Sequence, residues 1–464
     1  MFQHYSLMPH VGVELSSTRA HASRRRFALS AWLRRVSVLA GLVALGRPAV
    51  AQVPTAPPRG LTLGALYVAA DRANPRLSAA SALVAAAEAR VPSTRRPPDP
   101  QLQLGFMNRS LPGLGPMDPL GMTQLQVMQM LPTAGKLRLA GAAADARVGG
   151  ARARAADLRW EVRSQVAAAF YEVYRTERSI DIAIRTRRLM EDVAATVESM
   201  YRVGETAQAD VLKAQVEIGR MTEDITAMRA MRAMNLARLG GLLNQPVDST
   251  REMMLPAFPH RLAPIDSLMA QATTGRPMVQ AGEAEVAAAA ADAQLARREI
   301  WPDLQVGVQY GQRGGMSGVE RMGSLMLGAN VPVFAKSRQY RMRDETEAMR
   351  AMAAADLAAM KSETRAKVGI AYAEWARARN LRTLYETSVL PQARAAVTAA
   401  AAAYRVGRVN LMTLLDNQAT VNRYEQELAA LDAAEGMALA DLEMLLGREL
   451  FDSNAGRATP GGNR

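Results

Sequence analysis

The chain has 464 residues, 49% hydrophobic but only 5% aromatic, so it can bury a large core rich in Ala, Leu, Val and Met, a composition that suits long helices. It contains no Cys, which excludes disulfides, thiol catalysis, Cys metal sites and a lipid-anchored Cys. Residues 1–51 hold seven Arg and one Glu, so six of the thirteen net positive charges sit there and +7 remains, weak support for nucleic-acid binding; no nucleic-acid partner is expected.

In chain order, residues 1–51 read as a signal peptide. Arg24, Arg25, Arg26, Arg34 and Arg35 precede the apolar run Val36 to Leu45, and Ala49-Val50-Ala51 supplies a cleavage site, so the mature chain is expected to begin near Gln52. Ser23 to Phe27 also resembles a twin-arginine signal, but its apolar core lies behind a second Arg pair, which favours the general secretory route. Residues 52–75 are assigned to an N-terminal linker. Past the signal no uncharged apolar run reaches the roughly 18 residues of a membrane-spanning helix, so any crossing must use strands.

Residues 76–275 form a first repeat: a helix, strands near 99–107 and 122–131, a helical hairpin over 137–243 and an equatorial segment over 244–275. Alternation sets Leu102, Leu104 and Phe106 against Gln101, Gln103 and Gly105, and Leu125 and Val127 against Gln124 and Gln126. From Leu137 to Val203 the spacing turns helical, with Leu158, Val162, Val166, Ala169 and Val173 in one register. About 67 residues at about 1.5 Å each make a rod of about 100 Å. Gly204 tolerates the positive φ of a helix C-terminus, and the chain returns through Ala209 to Leu243 with Ile218, Met221, Ile225 and Met228 at coiled-coil spacing.

Residues 276–450 form a second repeat: a helix, strands near 302–310 and 322–332, and a hairpin over 336–447. Leu304, Val306, Val308 and Tyr310 line one strand face, and Leu325, Leu327, Ala329 and Val331 another. The Gly-rich stretches 108–121 and 311–321 are expected as long loops, not tight hairpins. Pro391 predicts a kink near Leu390, and residues 451–464 are expected as a disordered tail.

The halves match in order, at a period of about 200 residues. Pro98-Asp99-Pro100-Gln101-Leu102 returns as Pro302-Asp303-Leu304-Gln305-Val306, and Met122, Leu125, Pro132 and Lys136 return as Met322, Leu325, Pro332 and Lys336. Val166 to Glu172 parallels Val368 to Glu374, and Tyr201-Arg202-Val203-Gly204 returns as Tyr404-Arg405-Val406-Gly407.

Four strands cannot close a barrel, and an open edge leaves backbone groups unpaired in lipid. Single-chain bacterial barrels begin at eight strands, so the chain is expected to share one with copies of itself, two copies giving about eight strands and three about twelve. Leu102, Leu104, Phe106, Leu125, Val127, Leu304, Val306, Val308, Tyr310, Leu325 and Leu327 are the expected lipid-facing set.

Here the chain resembles the TolC-type outer-membrane efflux channel family over its mature length. The residues that carry the resemblance are Leu61-Thr62-Leu63 with Asn74-Pro75, Leu131-Pro132-Thr133-Ala134-Gly135-Lys136, and Tyr201 to Gly204 leading to Asp210-Val211-Leu212 and Gln215. In the second half they are Leu390-Pro391 and Tyr404 to Gly407 with Leu414-Leu415-Asp416 and Gln418. The resemblance implies an α+β membrane protein, a homotrimer with a 12-stranded barrel and a periplasmic helical tunnel. It also implies tip turns, Tyr201, Arg202, Val203, Gly204, Tyr404, Arg405, Val406 and Gly407, that meet a periplasmic adaptor coupled to an inner-membrane pump. The Pro-Thr-Ala-Gly-Lys exit and the Met content are similar to heavy-metal efflux members, some of which carry a lipid-anchored Cys that is missing here. The protein is expected in the outer membrane of a Gram-negative bacterium, as a passive exit for heavy-metal ions, drugs or other small molecules.

Sharper readings compete with plainer ones. The 27 Met suit soft metals, but at helical spacing they read as packing, and Met107, Met117 and Met122 form the one loop cluster near the expected outer mouth. Of four His only His260 lies outside the signal, beside Pro259, so no His centre, catalytic triad or cofactor site is expected. Gly135-Lys136 lacks the first Gly and the Ser or Thr of a phosphate loop. Glu205, Asp210 and Asp416 are candidate aperture charges or solvated helix starts. A periplasmic coiled-coil adaptor would need one hairpin and a separate β-domain, and a Met-rich periplasmic metal-binding protein would leave the apolar strand rows in water.

Overall fold

The computed structural model describes residues 60–110, 112, 121–315 and 318–452. The signal segment, Met117 and most of the expected tail lie outside the described residues.

A short strand β1 (Leu61–Thr62) leads into α1 (Leu63–Ala73), where Thr62 Oγ1 accepts from the Ala65 amide. Over residues 61–73 this corrects the linker assigned to 52–75. Leu63, Leu66, Tyr67 and Ala70 recur at helical spacing and are all buried, so the segment forms core. Asn74 caps α2 (Pro75–Thr94), its Oδ1 accepting from the Arg76 amide at 2.9 Å, with Pro75 at the first helical position.

Then follow β2 (Gln101–Met107), β3 (Met122–Leu131), α3 (Lys136–Arg202), α4 (Gln208–Leu243) and β4 (Met253–Met254). The 67 residues of α3 make a rod of about 100 Å. After α5 (Ile265–Gly275) and α6 (Pro277–Arg298) come β5 (Asp303–Gly315), β6 (Gly318–Asn330) and α7 (Gln339–Leu384). A π-helical turn (Tyr385–Val389) joins α7 to α8 (Leu390–Arg405), and α9 (Leu411–Leu446) returns. The interruption predicted at Pro391 takes that π form. Proline has no amide to bond the Thr387 carbonyl, and the wider turn absorbs the defect.

One further correction concerns residues 311–321. They are mostly strand: the β5–β6 ladder continues through Arg313↔Glu320 to Gly315↔Gly318, so only two residues separate the strands. Arg313 and Glu320 face each other across this ladder and form an ion pair at 2.7 Å.

The main core lies where α1, α3, α4, α9 and the β1–β4 pair meet, around Val166, Phe170, Tyr171, Leu239 and Leu243. A second cluster joins α5, α7 and α9 through Leu268, Val368 and Leu442. These clusters hold the middle of the rods. The strands occupy the end where α3 begins, and the turns 203–207 and 406–410 the end where it stops. No described helix is long and apolar enough to cross a membrane.

Candidate functional site

The four longer strands form one antiparallel sheet in the order β2-β3-β5-β6. Antiparallel partners share a face, so the register assigns each side chain. Leu104 pairs with Leu125, Leu125 with Tyr310, Val127 with Leu102 and Val308, Val308 with Leu325, and Val306 with Leu327. All eleven residues expected to face lipid therefore lie on one side. Ten are exposed, up to 77% for Leu327, and Val306 is half-buried.

The opposite face is rich in amides. Gln103, Gln126, Gln309 and Ser324 form a row across all four strands, and Gln309 Nε2 donates to Gln124 Oε1. Met128 and Met326 flank Gly307 on this face, where a Cβ would lie 3.3 Å from Met326 Cε and 3.5 Å from Met128 Cγ. Of the expected mouth cluster, Met107 and Met122 are ladder partners. Each of β2 and β6 has a strand neighbour on one side only, so both outer edges of the sheet are open among the described residues.

The sheet is fixed to α3 by a junction that the sequence reading missed. Ala134 and Gly135 take left-handed conformations, φ 56° and 75°, and deliver Lys136 to the base of β5. Its Nζ donates to Asp303 Oδ1 and to the Trp301 carbonyl, both at 2.9 Å, with Glu299 at 3.4 Å. The Thr133 amide donates to Asp303 Oδ1 and its hydroxyl to the Pro302 carbonyl. Lys136 is buried, and its satisfied ammonium joins two strands far apart in sequence. The signal present in the sequence is a Lys just after one strand and an Asp at the start of the next.

At the far end, Gly204 (φ 81°) and Gly407 (φ 68°) turn the chain as expected. The structure brings the tips together: Val197, Ala214, Ala400, Tyr404, Leu411 and Leu414 pack as one cluster. Tyr404 is thus a buried packing residue, whereas Tyr201 is 44% exposed, with Arg202, Val203, Arg405 and Val406 also exposed. Burial raises the Tyr404 hydroxyl above its ordinary range, with nearby Thr206 opposing and Asp210 adding to the shift. Among the candidate aperture charges, Asp210 accepts from Thr206 Oγ1 at 2.8 Å and lies 3.9 Å from Lys213, as a helix-start carboxylate does. Glu205 and Asp416 are exposed, as is His260.

Comparison with known proteins follows the same outline. The outer membrane efflux protein family matches residues 66–245 and 268–448, both repeats apart from their connection. The chain belongs to the outer membrane efflux protein family.

Among curated relatives of this chain, the pyoverdine export outer membrane protein OpmQ of Pseudomonas putida is 24% identical over 297 residues. That alignment spans 61% of this chain and 61% of OpmQ. Among solved structures, the outer-membrane channel OprN superposes with a TM-score of 0.72 at 20% identity, over 83% of this chain and 89% of OprN. VceC of Vibrio cholerae gives 0.71 at 18% identity, over 83% of this chain and 96% of VceC. The chain shares the fold of these outer-membrane channels, and neither family nor fold is that of an enzyme.

Proposed function

We propose that the protein is the outer-membrane duct of a tripartite efflux system: a homotrimer in which three four-stranded sheets form one twelve-stranded barrel over a periplasmic tunnel of helical hairpins. The carrying observation is a sheet with one apolar face, one amide-rich face and two open edges, standing on a rod of about 100 Å. A lone sheet of this kind leaves backbone groups unpaired in lipid, and closure with copies satisfies them. The apolar face meets lipid, the Gln face lines the lumen, and the far tips reach an adaptor that couples the duct to an inner-membrane pump. Duplication of a half-molecule accounts for the matched motifs and for the order helix, two strands, helical hairpin in both 75–243 and 277–446.

Cargo passes without chemistry; heavy-metal ions, drugs and other small molecules fit the duct equally, and the pump selects. Since OpmQ is named for pyoverdine export, pyoverdine is the first cargo to assay beside copper, silver and drugs. Deletion of the gene should raise retained cargo, and the intact chain should restore export while Val306→Arg does not. Unchanged retention of every cargo class after deletion contradicts the reading.

A further inference from the structure

The two halves make contacts with each other whose counterparts are left unmade. The base lock joins Lys136, just after β3, to Asp303, at the start of the adjacent strand β5. Their counterparts by the repeat are Lys336, just after β6, and Asp99, just before β2. Both are exposed, and neither has a hydrogen bond or ion pair among the described residues. They flank the two open edges, which β3 and β5 separate by three strand spacings of about 4.8 Å, about 14 Å in all.

We propose that Lys336 of one copy and Asp99 of the next form the inter-subunit counterpart of the Lys136–Asp303 lock, at a seam where β6 of one chain pairs with β2 of its neighbour. This rests on the shared-barrel reading. The occupant of each open edge is a second copy because the complementary halves of the lock stand on opposite edges of the same sheet.

The β3–β5 register carries over to the seam. Val127↔Val308 becomes Leu327 opposite Leu104 of the neighbouring copy, and Leu125↔Tyr310 becomes Leu325 opposite Phe106. Both pairs keep apolar residues on the apolar face, whereas a slip of one residue sets Leu327 against Gln103 or Gly105. The tips show the same asymmetry: Tyr404 packs against the first hairpin, and its counterpart Tyr201 is left exposed.

The seam lock is the ionic part of the internal one. Arg95 stands where Glu299 does and is held by Asp145. Val333 stands where Thr133 does and its amide donates to the Val331 carbonyl, so neither Thr133 bond has a ready counterpart. Lys336 keeps Asp99 and the Pro97 carbonyl as acceptors, beside the exposed Val331, Val333 and Phe334.

The chain has no Cys, so introduced pairs report cleanly in the native membrane. Leu104→Cys with Leu327→Cys, oxidised, tests the seam. Asp99→Cys with Lys336→Cys, treated with a short thiol–thiol cross-linker, tests the lock, and Lys136→Cys with Asp303→Cys calibrates the reagent by bridging within one chain. Dimer and trimer bands are expected from the first two pairs. Lys336→Asp should lower several-fold the oligomer that survives heating in mild detergent, and adding Asp99→Lys should restore it. Seam bands without lock bands, or a charge swap as weak as its single variant, overturn the lock and leave the shared barrel standing. Monomer alone from both pairs overturns the lock and the barrel together.

Discussion

The ring of Tyr171 lies directly on Gly436: a Cβ built there would sit 2.3 Å from Tyr171 Cζ. Tyr171 is fully buried between Phe170 and Phe258, so the ring has nowhere to go. Replacing Gly by Ala inside a helix ordinarily adds up to about 1 kcal/mol. Here overpacking reverses the sign, and Gly436→Ala should cost about 1–3 kcal/mol. Gly219, also helical but with open space around it, is the control. Thermal unfolding in detergent should fall for Gly436→Ala and hold or rise for Gly219→Ala.

Glu443 gives stability a pH dependence. Burial pushes its carboxyl from an ordinary 4.5 up to about 7, with Glu449 adding and the Leu450 and Phe451 amides and Arg163 opposing. Its Oε1 accepts from the Leu450 amide at 2.6 Å. The folded state holds the proton more tightly than the unfolded chain, so stability falls as pH rises from 4.5 to about 7. The loss is on the order of 3 kcal/mol across that window. Glu443→Gln keeps the acceptor and should flatten the slope, as read from melting temperatures at pH 5, 6, 7 and 8. An unchanged slope assigns the dependence elsewhere.

The tips separate docking from folding. Nothing lies within 4 Å of a Cβ at Gly204 or Gly407, so side chains there meet the positive φ and no neighbour within the chain. That strain costs about 1–2 kcal/mol at each site. Gly204→Trp with Gly407→Trp should leave the assembled protein in the outer membrane and abolish export. Export at the wild-type rate removes the tips from the mechanism, and loss of assembly makes them folding elements.

The strand faces give a paired test. Val306 lies on the apolar face and Gln305 on the amide-rich one. An Arg in the lipid midplane costs about 2–4 kcal/mol and a lumenal Arg far less. Val306→Arg should lower the assembled fraction in outer-membrane extracts while Gln305→Arg leaves it near wild type. Equal assembly of the two variants means the faces are misassigned.

Helical spacing located α3 to within a residue, because apolar positions recur at that spacing over 158–173 and again over 189–201 and no Pro interrupts the stretch. Alternation likewise sorted the strand residues onto faces. The pairing of β3 with β5 was not legible, since those partners lie about 180 residues apart and no local pattern names the neighbour. Helix α1 was hidden by the Pro- and Gly-rich stretch before it, although Leu63, Leu66, Tyr67 and Ala70 already have helical spacing. The glycines from 311 to 318 look like breakers by composition yet stay in the ladder, held by cross-strand partners such as Arg313 and Glu320. Tyr201 and Tyr404 open identical tetrapeptides, and only the packing of the two hairpins buries one and leaves the other open.

The shared barrel is tested most directly by the mass of the protein extracted from outer membranes in mild detergent, measured by light scattering with the detergent contribution subtracted. Three chains per particle is the predicted result. A stable, membrane-inserted particle of one chain would contradict the account, because a single chain leaves both edges of its sheet unpaired in lipid.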